Sequence, residues 1–174
     1  MVPPHRGGTT SLRGSHELAT PATIVAERIH NVDKQPKAEQ RELLKVSATE
    51  PLRYRRVHFK CGERVLSEAD NWYVPARLTR EMNQSLENSD IAFGRAVLAL
   101  HFQRCTLAAE LLWRPLPEGW EMNPALRGQA GPTLRIPREV LRHRAILTSA
   151  DGTPFSMVVE TYTAEVLEFP EPRR

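Results

Sequence analysis

The chain has 174 residues, 40% of them apolar and 26% charged, which suits one domain with a single core. Its net charge is only +3, with 24 Lys and Arg against 21 Asp and Glu spread along the chain, so it lacks the clustered basic surface of a nucleic-acid binder. No apolar run is long enough to span a bilayer, residues 1–15 hold no apolar core of a secretion signal, and Cys61 and Cys105 fit no zinc-binding spacing. A cytoplasmic protein with two reduced thiols, no metal and no cofactor is expected.

Taken in chain order, residues 1–15 are rich in Pro and Gly and are read as weakly ordered. Residues 22–29 read as a strand and 37–45 as a short helix with Leu43 and Leu44 inward. Residues 53–60 alternate, Cys61-Gly62-Glu63 turns, and 64–74 runs extended to Pro75, which is the pattern of a β-hairpin. Residues 79–88 read as a helix capped by Thr79, with Met82 and Leu86 four apart on one face. Two further strands are expected at 97–104 and 106–113. The proline-bearing stretch 113–137 is too long for a tight loop and reads as a lid or insertion. Residues 141–148 and 155–167 form a last hairpin through Ala150-Asp151-Gly152-Thr153. Successive hairpins with few helices predict an α+β domain over 16–168. Its antiparallel sheet would have about six strands with a few helices on one face, followed by a tail at 169–174.

No phosphate-binding glycine loop and no Ser/His/Asp arrangement is visible. Charge placed inside strands is the chemical signal instead. Glu160 shares a strand face with Val158 and Tyr162, where a carboxyl among apolar neighbours could act as a general acid or base. Arg56 lies mid-strand on the face of Tyr54 and His58, and its planar guanidinium matches a carboxylate. Arg142 and Arg144 share one face of the strand expected to pair with that of Glu160. They either partner Glu160 or line a pocket. Glu110, flanked on its face by Ala108 and Leu112, is a weaker candidate.

The segment from Arg56 through the Gly62 turn to Pro75 resembles the central hairpin of the chorismate pyruvate-lyase family. Ala92-Phe93-Gly94-Arg95 is similar to that family's corner after the helix. Gly152-Thr153-Pro154 followed by a strand bearing Glu160 is similar to its last hairpin. The same fold occurs in ligand-binding domains of GntR-type regulators, which this hairpin also resembles. The resemblance implies a cofactor-free site for a small carboxylate such as chorismate or 4-hydroxybenzoate. Arg56 would hold a carboxylate, Glu160 would assist proton transfer, and the backbone at Phe93 and Gly94 would contact the ligand; Arg144, from its place on the neighbouring strand, is a further substrate-binding candidate. Three function classes follow: a lyase making 4-hydroxybenzoate and pyruvate, a non-catalytic binding domain, and an interaction domain without ligand. The first requires Arg56 and Glu160 to face one cavity.

Overall fold

In the computed structural model, residues 23–116, 119 and 135–168 are described. The expected end segments 1–15 and 169–174, and most of the stretch 113–137, lie outside them. Six strands form one antiparallel sheet: β1 (Ile24–Ile29), β2 (Arg53–Cys61), β3 (Arg64–Tyr73), β4 (Gln103–Leu111), β5 (Glu139–Thr148) and β6 (Pro154–Thr163). Their order is β1-β2-β3-β6-β5-β4. Two three-stranded meanders are therefore joined through the pairing of β3 with β6. The β2–β3 turn places Gly62 at φ 59°, a left-handed conformation that a side chain would penalise. At the β5–β6 turn, Asp151 accepts from Ser149 Oγ at 2.7 Å and from the Thr153 amide at 2.9 Å.

Among the described residues, three short α-helices accompany the sheet: α1 (Ala38–Leu43), α2 (Arg80–Asn88) and α3 (Phe93–Ala96). Gln40 accepts from the Lys37 amide at 2.8 Å, closing the first turn of α1. Thr79 caps α2 as the sequence predicts, accepting from the Met82 amide at 3.3 Å. The expected strand at 97–104 is a correction. Phe93 and Val97 are four apart and both buried in one cluster, so helical spacing prevails there. A 3-10 turn at Leu98–Leu100 follows, and His101 at φ 47° redirects the chain into β4. Strand β4 is thus a single strand where two were expected.

The core lies in two layers separated by the sheet. On one face Met82 and Leu86 of α2 pack with Phe93, Val97, Tyr73, Leu147 and Phe155. On the other, Leu44 after α1 packs with Trp72, Val74 and Met157. Trp72 and Tyr73 are consecutive in β3 and so project oppositely. The fold class is the expected α+β sheet, with one difference in detail: α2 and α3 share a face, and α1 covers the other, because Leu43 and Leu44 meet Trp72 and Met157.

Arg55 locks α2 to the sheet. It is only 3% exposed, and it donates to the carbonyls of Leu86 (2.9 Å), Ser89 (3.1 Å) and Ile91 (2.7 Å). These oxygens lie at and beyond the C-terminal end of α2, where helix carbonyls lack partners and the helix dipole is negative. Burial pushes the Arg55 guanidinium below the ordinary arginine range, and the nearby Arg28 charge adds to this. Replacing Arg55 by Met should cost about 2–4 kcal/mol in urea denaturation, because the Ser89 and Ile91 carbonyls lose their donor and Leu86 keeps only Arg28. Arg104→Met, at a half-exposed edge position, should stay within about 0.5 kcal/mol.

Candidate functional site

Directly opposed residues in an antiparallel pair share a face, so the register fixes which side chains can meet. Arg56 opposes Asp70, Asp70 opposes Val159, and Val159 opposes Arg144. The next row on the same face is His58, Glu68, Thr161 and Arg142. Glu139 follows on that face, opposite Thr163. Together with Lys34, from the loop between β1 and α1, these rows, His58 and Arg144 excepted, line a depression of about 320 Å³. Val159 and Thr161 form its floor. Lys34, Arg56, Asp70 and Glu68 stand on one side, and Arg142 and Glu139 on the other.

Asp70 organises this face. Its carboxylate accepts from Arg56 Nε at 2.7 Å and Arg56 Nη2 at 3.1 Å, a two-pronged pair. Tyr54 Oη donates to it at 2.5 Å and Lys34 Nζ at 2.9 Å. Burial alone would raise the Asp70 carboxyl, but the hydrogen bonds from Arg56, Tyr54 and Lys34 outweigh it and hold it below the usual range. The same bond holds the Arg56 guanidinium above its ordinary value, against the opposing pull of burial. Burial, reinforced by the bond to Asp70, pushes the Tyr54 phenol well up. Lys34 is tied down twice more. Its carbonyl accepts from Trp72 Nε1 at 2.8 Å, and its ammonium lies 5.4 Å from the Trp72 ring centre.

Glu160 is not on this face. It follows Val159 and opposes Ala69, so it projects to the side of α2. There Ser67 Oγ donates to it at 2.8 Å and Arg104 approaches at 3.7 Å. Burial pushes the neighbouring Tyr162 phenol up, and the Glu160 charge adds to that. Phe93 is on the Glu160 side, with its ring 5.4 Å from that of Tyr73 and 6.4 Å from that of Phe155, in the core. A methyl at Gly94 would meet the Phe102 ring at 3.5 Å, an ordinary contact. Arg144 lies on the Arg56 face, paired with Glu39 of α1. Arg142 lines the depression and lies 3.2 Å from Glu139 and 3.7 Å from Glu110. The structure therefore brings Arg56, Arg142 and Arg144 to one face and leaves Glu160 and Phe93 on the other. The expectation that Arg56 and Glu160 share a cavity does not hold, because alternation along β6 separates them. Sequence reasoning missed Lys34, Glu68 and Asp70. The two acids were accessible from the hairpin register, which sets Glu68 and Asp70 across from His58 and Arg56. Lys34 reaches the site from a loop and left no periodic signal.

No protein-family model matches the chain. It is 53% identical over 159 residues to "Uncharacterized protein y4mC" from Sinorhizobium fredii (strain NBRC 101917 / NGR234), a match covering 91% of this chain and 67% of that protein. The chain belongs to the y4mC family. Among solved structures, this y4mC-family sheet is similar to the effector domain of PhnF from Mycobacterium smegmatis, with TM-score 0.55, 9% identity and 82% of each chain covered. It is also similar to a GntR-family transcriptional regulator from Enterococcus faecalis V583, with TM-score 0.53 and 13% identity, over 85% of this chain and 99% of that one. These likenesses show the fold, which is the chorismate lyase-like α+β arrangement of such regulator domains. No helix among the described residues is long and apolar enough to cross a membrane.

The Asp70 cluster has a pH signature. A carboxyl held below its unfolded-state value stabilises the fold fully above about pH 4, and this contribution is lost as pH falls through the lower folded-state value. Melting temperatures followed from pH 6 to pH 3 should fall more steeply for the wild type than for Asp70→Asn. At pH 7 the variant should be less stable by about 2–4 kcal/mol, because Arg56 and Lys34 lose their shared anion.

Proposed function

We propose that this y4mC-family domain is a non-catalytic binding module for a small carboxylate, with the Asp70 depression as its site. The observation that supports it is the convergence of Lys34, Arg56, Arg142 and Thr161 on an open depression over Val159. The cations give a carboxylate its partners, and the strands that carry Arg56 and Arg142 hold them in place. The likeness to regulator effector domains agrees with a binding role, though it is a likeness of fold.

Elimination of pyruvate from chorismate asks more. A carboxylate clamp and an acid/base group must reach the same substrate, since such catalysis works by orientation and proton transfer at close range. With Arg56 and Glu160 on opposite sides of the sheet, that pair does not clasp one molecule. Binding without turnover is the reading that this geometry favours.

The test is a thermal-shift and calorimetric screen of small carboxylates, including 4-hydroxybenzoate and chorismate, with chromatography of the chorismate sample. At least one acid should bind. Lys34→Ala should weaken it about tenfold or more, equivalent to about 1.4 kcal/mol. Chorismate should be recovered unchanged. Conversion to 4-hydroxybenzoate that is lost in Glu160→Gln would overturn the proposal in favour of a lyase.

A further inference from the structure

We propose that the ligand of the Asp70 depression is a small zwitterion whose carboxylate and ammonium groups are separated by a short chain. The carboxylate would lie toward Lys34 and Arg56, and the ammonium toward Glu68 and Glu139. This inference rests on reading the depression as the binding site.

The charges around the depression are sorted along the strands. At the end beneath α1, Lys34 and Arg56 face one carboxylate, Asp70. At the other end, Glu68 and Glu139 face one cation among the lining residues, Arg142. The row of Arg56 and Asp70 and the row of Glu68 and Arg142 are two residues apart along each strand, a spacing of about 6.8 Å. The site is thus positive at one end and negative at the other.

The groups differ in what they can still offer. Asp70 is saturated by Arg56, Tyr54 and Lys34, so it adds little acceptor capacity. The Lys34 ammonium spends one of its three donors on Asp70, and its side chain is half exposed. Glu68 is met from outside the depression by Arg138, whose side chain is 74% exposed, and by His58 at 4.0 Å. Such a water-screened pair is worth little and yields readily to a ligand cation. The floor between the two ends is Val159 with the Thr161 hydroxyl, which suits methylenes, and no aromatic side chain lines the depression among the described residues.

A simple carboxylate would satisfy one end and leave the acidic end partly desolvated without a new counter-charge. A simple amine would do the reverse. A zwitterion meets both ends while adding no net charge, so discrimination comes from the penalty on ligands that lack either group.

Calorimetry on the full chain with 5-aminopentanoate, pentanoate and pentylamine tests this. The aminoacid should bind at least tenfold more tightly than either one-ended analogue. Glu68→Gln should remove most of its advantage over pentanoate, by weakening the aminoacid and relieving the penalty on pentanoate. Glu139→Gln serves as the second variant should Glu68→Gln lower the melting temperature. Equal or tighter binding of pentanoate or 4-hydroxybenzoate, still weakened by Lys34→Ala, would overturn the zwitterion and leave the carboxylate site standing. Absence of binding by every probe at millimolar concentration would overturn both.

Discussion

Seven consecutive cross-strand pairs join β3 to β6, from Ser67–Tyr162 to Tyr73–Ser156, without an irregularity. That unbroken register is the constraint on which the rest of the molecule depends. It joins the two meanders into one sheet, and it assigns every side chain of the two central strands to a face. A slip of β6 by one residue would exchange the faces of that strand, carrying Glu160 to the side of α1 and Met157, Val159 and Thr161 to the side of α2. Such a slip would set the Glu160 carboxylate on the face of Asp70 and take Met157 away from Trp72. Polar and apolar groups therefore specify the same alignment.

The two faces have different tasks. On the α2 side, Arg55 is consumed by main-chain carbonyls, and Phe93, Tyr73 and Phe155 fill the space beneath the helices. These contacts stabilise. On the α1 side the apolar cluster around Trp72 and Met157 ends where the charged rows begin, and the depression opens there. Lys34 marks the border, since its backbone is fixed by the Trp72 indole while its ammonium reaches Asp70. Rigid strands thus present the charged groups, and a loop residue completes them.

Much of this was legible in the sequence. The Gly62 hairpin, the Thr79 cap and the final hairpin each carry local chemistry that fixes them irrespective of the remainder, and the α+β class follows from their order. The segment after Gly94 departs from the expected strand because its apolar residues suit strand or helix alike, and only packing against Tyr73 and Phe155 decides between them. The site was legible in part. Arg56 and Arg142 stand out as charges inside strands. Which of them can meet Glu160 depends on register across three strands, and a list of conspicuous residues does not contain that information. Helix α1 was recognised, yet the face that it covers is set by Leu44 meeting Trp72, a contact 28 positions apart.

A ligand seated in the depression engages the Val159 and Thr161 side of the sheet and leaves the Glu160 side untouched. Methyl-resolved NMR on selectively labelled protein separates the two, because Val159 and Thr161 methyls face the depression while those of neighbouring Val158 and of Ala145 face the opposite layer. Titration with the tightest-binding carboxylate should shift the Val159 and Thr161 signals progressively and leave Val158 and Ala145 nearly still. Large shifts at Val158 and Ala145, with Val159 and Thr161 unmoved, would place the ligand beside Glu160 and contradict the account.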